Sequence, residues 1–264
     1  MKLFPRRFAI FVLIPAAVII GTAFFQPSAG NEESQKTITV SLGGGWPPYL
    51  IADPEENGPQ GKGQGILMDI FKEVSQTLGY RVKTVCYPEK RDIVMLDKGL
   101  IDFRFDGRNW VEKPDRYFWS DPIIEASDVL VFRKDDPVRF DDLEDLEGKT
   151  VITHLGYTYP TLQPYFASGR IKRSDTATHS YMLRMLDAER GDAAVMNKRV
   201  ALWVMKNSRS LSPSGFTFSS PVDSSRLALL YTSPEWHEFV KDFNRELSKM
   251  KTDGRINGIL SDYR

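Results

Sequence analysis

The feature that most constrains this chain is an alternation of short apolar strands with amphipathic helical segments, which begins near residue 37, breaks in an acidic stretch and restarts near Lys149. Thr37 to Leu42 reads as a strand, and Gly43-Gly44-Gly45-Trp46-Pro47-Pro48-Tyr49 breaks it into a loop. Ile66, Leu67, Ile70, Phe71, Val74 and Leu78 recur at helical spacing, with Gly79 as the stop. Tyr80 to Cys86 is a second strand, Pro88 opens a helix that Gly99 ends, and Ile101 to Phe105 is a third strand. Strands alternating with helices of this length predict βαβ units and a mainly parallel sheet.

A second series follows. Asp128 to Arg133 is apolar and strand-like, and Asp135 to Glu147 is acidic. Lys149 to Thr153 is then a strand, and Leu155-Gly156-Tyr157 turns into a helix. Ser180 to Glu189 is helical, Asp192 to Met196 a strand, Asn197 to Lys206 a helix and Arg226 to Tyr231 a strand. Trp236, Phe239, Val240, Phe243, Leu247 and Met250 outline an amphipathic helix, and a last short helix follows Asp253-Gly254. No low-complexity linker separates the two series. The chain is therefore expected to cross between two lobes on extended segments, with Asp128 to Arg133 and the region of Ser225 to Leu229 as the candidates.

The first thirty residues differ from the rest. Lys2, Arg6 and Arg7 precede an apolar run from Phe8 to Phe25, and the small residues Ser28, Ala29 and Gly30 follow. Basic, apolar, small is the order of a secretory signal. A run this long also suits a single-span anchor, which needs only about 20 apolar residues. Both readings keep the basic end in the cytoplasm and export the remainder. Lys+Arg and Asp+Glu each number 35, so no net field points to nucleic acid or anionic lipid. Cys86 is the single cysteine and has no internal disulfide partner; it sits in an apolar stretch as a structural thiol. One Cys and three His give a zinc site little support, and no cofactor or metal is called for. The chain carries no nucleophile elbow, P-loop or Gly-x-Gly-x-x-Gly fingerprint, so binding leads over catalysis.

The ordered motifs resemble those of the bacterial extracellular solute-binding proteins of family 3. These are type II periplasmic binding proteins, whose best-known members serve polar amino-acid ABC importers. Gly45-Trp46-Pro47-Pro48-Tyr49 is similar to the family's first ligand loop, and Gly65-Ile66-Leu67-Met68-Asp69 to its first helix start. Lys98-Gly99-Leu100-Ile101-Asp102 resembles its turn into the third strand, and Trp119-Ser120-Asp121-Pro122 its segment before the hinge. Asp142 to Lys149 resembles the start of lobe 2, and Arg190-Gly191-Asp192-Ala193 a later strand. The resemblance spans about Thr37 to Tyr263. It implies an α/β fold of two Rossmann-like lobes with a hinge and an interlobe ligand cleft, the type II periplasmic binding protein architecture. Residues 1–30 would be the signal or anchor, 36–126 plus 228–264 lobe 1, and 130–224 lobe 2.

It also implies where a ligand sits. Trp46 and Tyr49, on a Gly/Pro loop, either stack on the ligand or pack against the lobe. Gly107, Arg108 and Asn109 occupy the place where the family holds a ligand carboxylate with a Gly backbone group and a hydroxyl. The family's carboxylate-clamping Arg falls at Lys113, a point charge in place of a fork. The carboxylate that receives a ligand ammonium falls at Asn197, which has no charge. With both anchors altered, the ligand departs from a standard L-α-amino acid. His154, Tyr157 and Thr158 are candidates around a helix start suited to an anionic group, and Arg91 is a weaker one. His179 and His237 are expected on helix surfaces.

The resulting expectation is a periplasmic, monomeric binder of a small polar ligand, an amino acid or a related organic acid, with an ABC permease in the inner membrane as partner. Two alternatives stay open. One is a periplasmic dehydratase-like enzyme on the same scaffold, using Asp106, Glu112 or Lys113. The other is a ligand-sensing receptor subunit, which an uncleaved anchor would favour.

Overall fold

The computed structural model describes residues 35–52, 63–136 and 140–263. β1 (Thr37–Ser41) buries Ile38 and Val40 completely. α1 (Ile66–Thr77) turns Ile66, Leu67, Ile70, Phe71 and Val74 inward. Gly65 fixes its start at φ 111°; a Cβ there would stand 2.6 Å from the Tyr49 carbonyl oxygen, so only glycine fits. β2 (Arg81–Val85), α2 (Glu89–Asp97) and β3 (Phe103–Gly107) complete the first series. β1 pairs in parallel with both β2 and β3, as helical crossovers require.

The chain then runs through β4 (Phe118–Trp119) into β5 (Ile124–Arg133) and on to β6 (Thr150–His154). α3 (Gln163–Ala167), β7 (Lys172–Thr176), α4 (His179–Asp187), β8 (Ala193–Asn197) and α5 (Lys198–Lys206) build the second series. β9 (Phe216–Tyr231) returns, and α6 (His237–Asp253) and α7 (Arg255–Asp262) close the chain. The described strands lie in the order β2-β1-β3-β9-β5-β8-β6-β7, with β4 on β9. β6 is parallel to β7 and β8, whereas β5 and β9 run antiparallel to each other and to the strands they touch.

Two sets of cores flank this sheet. In the first lobe, Ile38, Val40, Phe71, Phe103, Phe239 and Phe243 pack together, with Phe71 6.0 Å from Phe103 and 5.9 Å from Phe243, ring to ring. In the second, β5 and β8 are apolar at successive positions because both faces are covered. Val129, Val131, Ala194 and Met196 face α4 and α5, while Leu130, Phe132, Ala193 and Val195 face Leu146, Tyr159 and Leu162. β5 and β9 each begin in one core and end in the other. Val200 of α5 joins the first lobe's core, so the lobes also touch beside these strands.

Three expectations need correction. The helix predicted to start at Tyr157 does not form there: α3 begins at Gln163 and spans five residues. Pro160 disfavours the helical region at Tyr159. β7 escaped the pattern because it is an edge strand of sequence Lys-Arg-Ser-Asp-Thr, with no buried residue. β9 starts ten residues before the predicted Arg226, since its Ser-rich first half with Pro221 reads as a turn. Pro221 is accommodated where β5 and β9 slip register, a place that tolerates a missing N–H. The signal or anchor of residues 1–30 lies outside the described residues. Among those described, no helix is long and apolar enough to cross a membrane.

Candidate ligand-binding site

A cavity of about 110 Å³ opens where the ends of β1, β3 and β8 and the start of α2 meet the β6–α3 loop. Its first-lobe wall is ionic. Pro88 starts α2, and Glu89 and Asp92 in the first helical turn share one face. Acidic groups are stabilised there by the helix dipole. Arg104 and Asp106, two apart on β3, likewise share a face. Arg104, 6% exposed, donates to Glu89 and, at 2.7 Å, to Asp106, and stands 3.4 Å from Asp92.

Burial works against the guanidinium charge, but the carboxylates of Asp106, Glu89 and Asp92 outweigh it and raise its pKa. Burial pushes Asp92 up to about 6, against the pull of Arg104 and a hydrogen bond from Ser41. It pushes Asp106 to about 6 as well, again opposed by Arg104. Among the described residues Asp92 Oδ1 and Arg104 Nε have no hydrogen-bond partner.

The second-lobe wall is built of rings. His154 lies 4.1 Å from Tyr157 and 4.7 Å from His179, centroid to centroid. The Tyr159 hydroxyl accepts from the His154 backbone N–H at 2.9 Å, which ties the β6–α3 loop to its strand. Burial, and then the neighbouring His154, lower His179 to about 3, so it is neutral. Facing these rings across the cavity, Trp46 stacks on Tyr49 at 4.3 Å and meets Trp110 edge-on at 6.0 Å.

Asp128 completes the cavity from β5. It sits at the register slip between β5 and β9, and a bulge of this kind re-aims a side chain. It is 8% exposed, and no hydrogen bond or ion pair among the described residues engages its carboxylate. Burial, and then the nearby Asp223 carboxylate, push it up to about 7.

Of the residues named from sequence, Trp46, Tyr157, Thr158 and Asn197 line this cavity. Tyr49 stands behind Trp46, 3% exposed, and donates to Asn197 Oδ1 at 3.3 Å. Asn197 Oδ1 also accepts from the Arg199 and Val200 N–H groups, capping α5, and its Nδ2 donates to the Ser127 carbonyl at 2.9 Å. His154 backs the Tyr157 and His179 rings. Gly107 is packed so closely that a Cβ would fall 2.3 Å from Ser225 Oγ, and its N–H donates to Asp106 at 2.7 Å.

Arg108 and Asn109 lie on a separate groove with Trp119, Ser224 and Arg226, where Arg108 pairs with Asp115 at 2.5 Å. Lys113 is exposed at the head of a short 3-10 turn and lines none of the cavities described. Glu112 is exposed too, whereas Asp106 is in the cavity. Arg91 is exposed, its guanidinium over the Tyr87 ring. His237 is exposed, as expected, but His179 is 7% exposed and lines the cavity, contrary to its expected place on a helix surface.

Sequence reading missed Glu89, Asp92, Arg104, Trp110 and Asp128. A usable signal existed. Charged residues are almost never fully buried unless paired, and Arg104, Asp106 and Asp128 interrupt apolar strands.

Residues 38–264 match the model of the bacterial extracellular solute-binding proteins, family 3. The chain belongs to this family. Its fold is that of the type II periplasmic binding proteins, and its role is to bind a ligand. An ancestral arginine-binding protein bound to arginine is 25% identical, over 87% of this chain and 98% of that one, with a TM-score of 0.70. A histidine kinase sensor domain with similarity to periplasmic binding proteins is 22% identical, over 87% and 96%, with a TM-score of 0.70. An ancestral amino acid-binding protein, a precursor of cyclohexadienyl dehydratase, is 20% identical, over 86% and 95%, with a TM-score of 0.68. These last two likenesses are of fold. No curated protein matches the chain.

Proposed function

We propose that the chain is an exported binding protein that captures a small polar solute of amino-acid size between its lobes and delivers it to an importer in the inner membrane. The observation that carries this reading is the cavity itself: buried ionic groups of the first lobe face rings and backbone of the second across a space fit for a small molecule. A solute that touches both walls favours the closed arrangement by its differential affinity for it, and an importer can read that arrangement. Residues 36–126 plus 228–264 and residues 130–224 are the bodies we expect to move, with β5 and β9 as the hinge. The bound arginine of the 25% identical neighbour supports a solute of this size.

Calorimetric titration of the purified chain with the common amino acids, small amines and short organic acids tests the proposal. One solute is expected to bind with micromolar or tighter Kd, and binding by none would overturn it. A second reading, a lyase-type enzyme, has one observation in its favour. Asp106 and Asp128 are cavity carboxylates with raised pKa values, the property a general acid needs. Release of a dehydrated product from any member of the same panel would establish it.

A further inference from the structure

Asp128 carries an inference that rests on the binding reading and narrows it. We infer that the solute is an organic cation, an amine or guanidine, whose charged group seats on Asp128 and which is bound without a clamp on a carboxylate.

The cavity wall holds four carboxylates, those of Glu89, Asp92, Asp106 and Asp128, and one guanidinium, that of Arg104. Arg104 is committed to three of the four. Asp128 is left over, more than nine-tenths buried, on the cavity surface and engaged by no donor among the described residues. A buried carboxylate without a partner is costly to keep ionised, and a cation brought by the solute removes that cost. Asp92 Oδ1, 1% exposed and also without a donor, gives a second acceptor on the first-lobe wall.

The position of Asp128 has its own logic. β5 and β8 are antiparallel, and Asp128 stands directly opposite Asn197 in their register. Directly opposed residues point to the same face of a sheet with Cβ atoms about 5 Å apart. The carboxylate that the sequence resemblance led one to expect at 197 therefore stands one strand over, aimed the same way. The Asn197 Oδ1 is meanwhile taken up by capping α5 and by the Tyr49 hydroxyl. The rings of Trp46, Trp110 and Tyr157 around the cavity suit a cation as well.

At the other end of an amino acid, the expected partners are elsewhere. Arg108 and Asn109 open on a different groove and Lys113 is exposed on a loop. Among the described residues lining the cavity the one cation is Arg104, and its guanidinium is already paired with three carboxylates.

Two amino acids and their decarboxylated forms test this directly. Arginine, agmatine, lysine and cadaverine are titrated calorimetrically into the wild-type chain, with succinate as an acid lacking a cation. We expect agmatine or cadaverine to bind at least tenfold more tightly than its parent amino acid, and succinate not to bind. In Asp128→Asn the affinity for that amine is expected to fall at least tenfold, with a Tm no lower than that of the wild type. Arginine or lysine binding as well as its decarboxylated form, or succinate binding, overturns the inference and leaves the binding reading intact. Binding by no member of this set, while another solute of the wider panel binds, also overturns the inference alone. Failure of the whole panel overturns both. Should Asp128→Asn not fold, the ranking on the wild-type chain still decides.

Discussion

The two walls of the cavity solve the problem of burying polar groups in opposite ways. In the first lobe, Arg104 is surrounded by Glu89, Asp92 and Asp106, so the charges are arranged before any solute arrives. In the second, the clustered rings of His154, Tyr157 and His179 are neutral. Asp128, on the strand that passes between the lobes, belongs to neither arrangement and has no counterion among the described residues. The difference separates a first-lobe wall organised around one guanidinium from a carboxylate that no donor among the described residues engages.

The comparison breaks most easily at Arg104. Arg104→Met would leave three carboxylates clustered without their cation, and removing one partner from a buried ion cluster costs about 3–5 kcal/mol. Urea unfolding is expected to show a loss of that size; a loss under about 1 kcal/mol would mean that the first-lobe wall is not held by its ions.

A smaller effect is expected from pH. The folded chain keeps a proton on Asp128 up to about pH 7, whereas an unfolded Asp releases it near about 4. The stability contributed by the protonated group is complete below the unfolded value and is lost as pH rises through the folded one. Asp92 and Asp106 act in the same direction, up to about pH 6, so the comparison is made against Asp128→Asn. Between pH 4 and 7 the wild type should lose on the order of 1–4 kcal/mol more than the variant. Parallel stability curves would show that Asp128 already has a partner.

The smallest effect is expected outside the cavity. Lys113→Ala and Arg108→Ala should each leave solute affinity within about twofold and stability within about 0.5 kcal/mol, because both side chains are exposed. A tenfold loss in either, on the same titration, would move the site toward the loop that sequence favoured.

Much of the scaffold could be read from local pattern. The inward faces of α1 and α6, the apolar runs of β5 and β8 and the stop at Gly79 all follow from side-chain periodicity and backbone preference. β7 could not, because an exposed edge strand needs no apolar residue, and the first half of β9 could not, because its pairing with β5 overrides a turn-like composition. The ring wall was partly legible through Trp46 and Tyr157. Of the ionic wall only Asp106 was named, although the other residues were in plain view.

By itself the sequence determined the βα alternation and the two-lobed family fold, since each depends on short-range pattern and on motifs in fixed order. Only the tertiary structure decided which charges face the cavity. Glu89 and Asp92 reach Arg104 because a helix start is laid against a strand. Asp128 comes to stand opposite Asn197 because the antiparallel register of β5 and β8 brings together residues 69 positions apart. Electrostatic function here lies in pairing and burial, and both are properties of long-range contact that spacing along the chain does not encode.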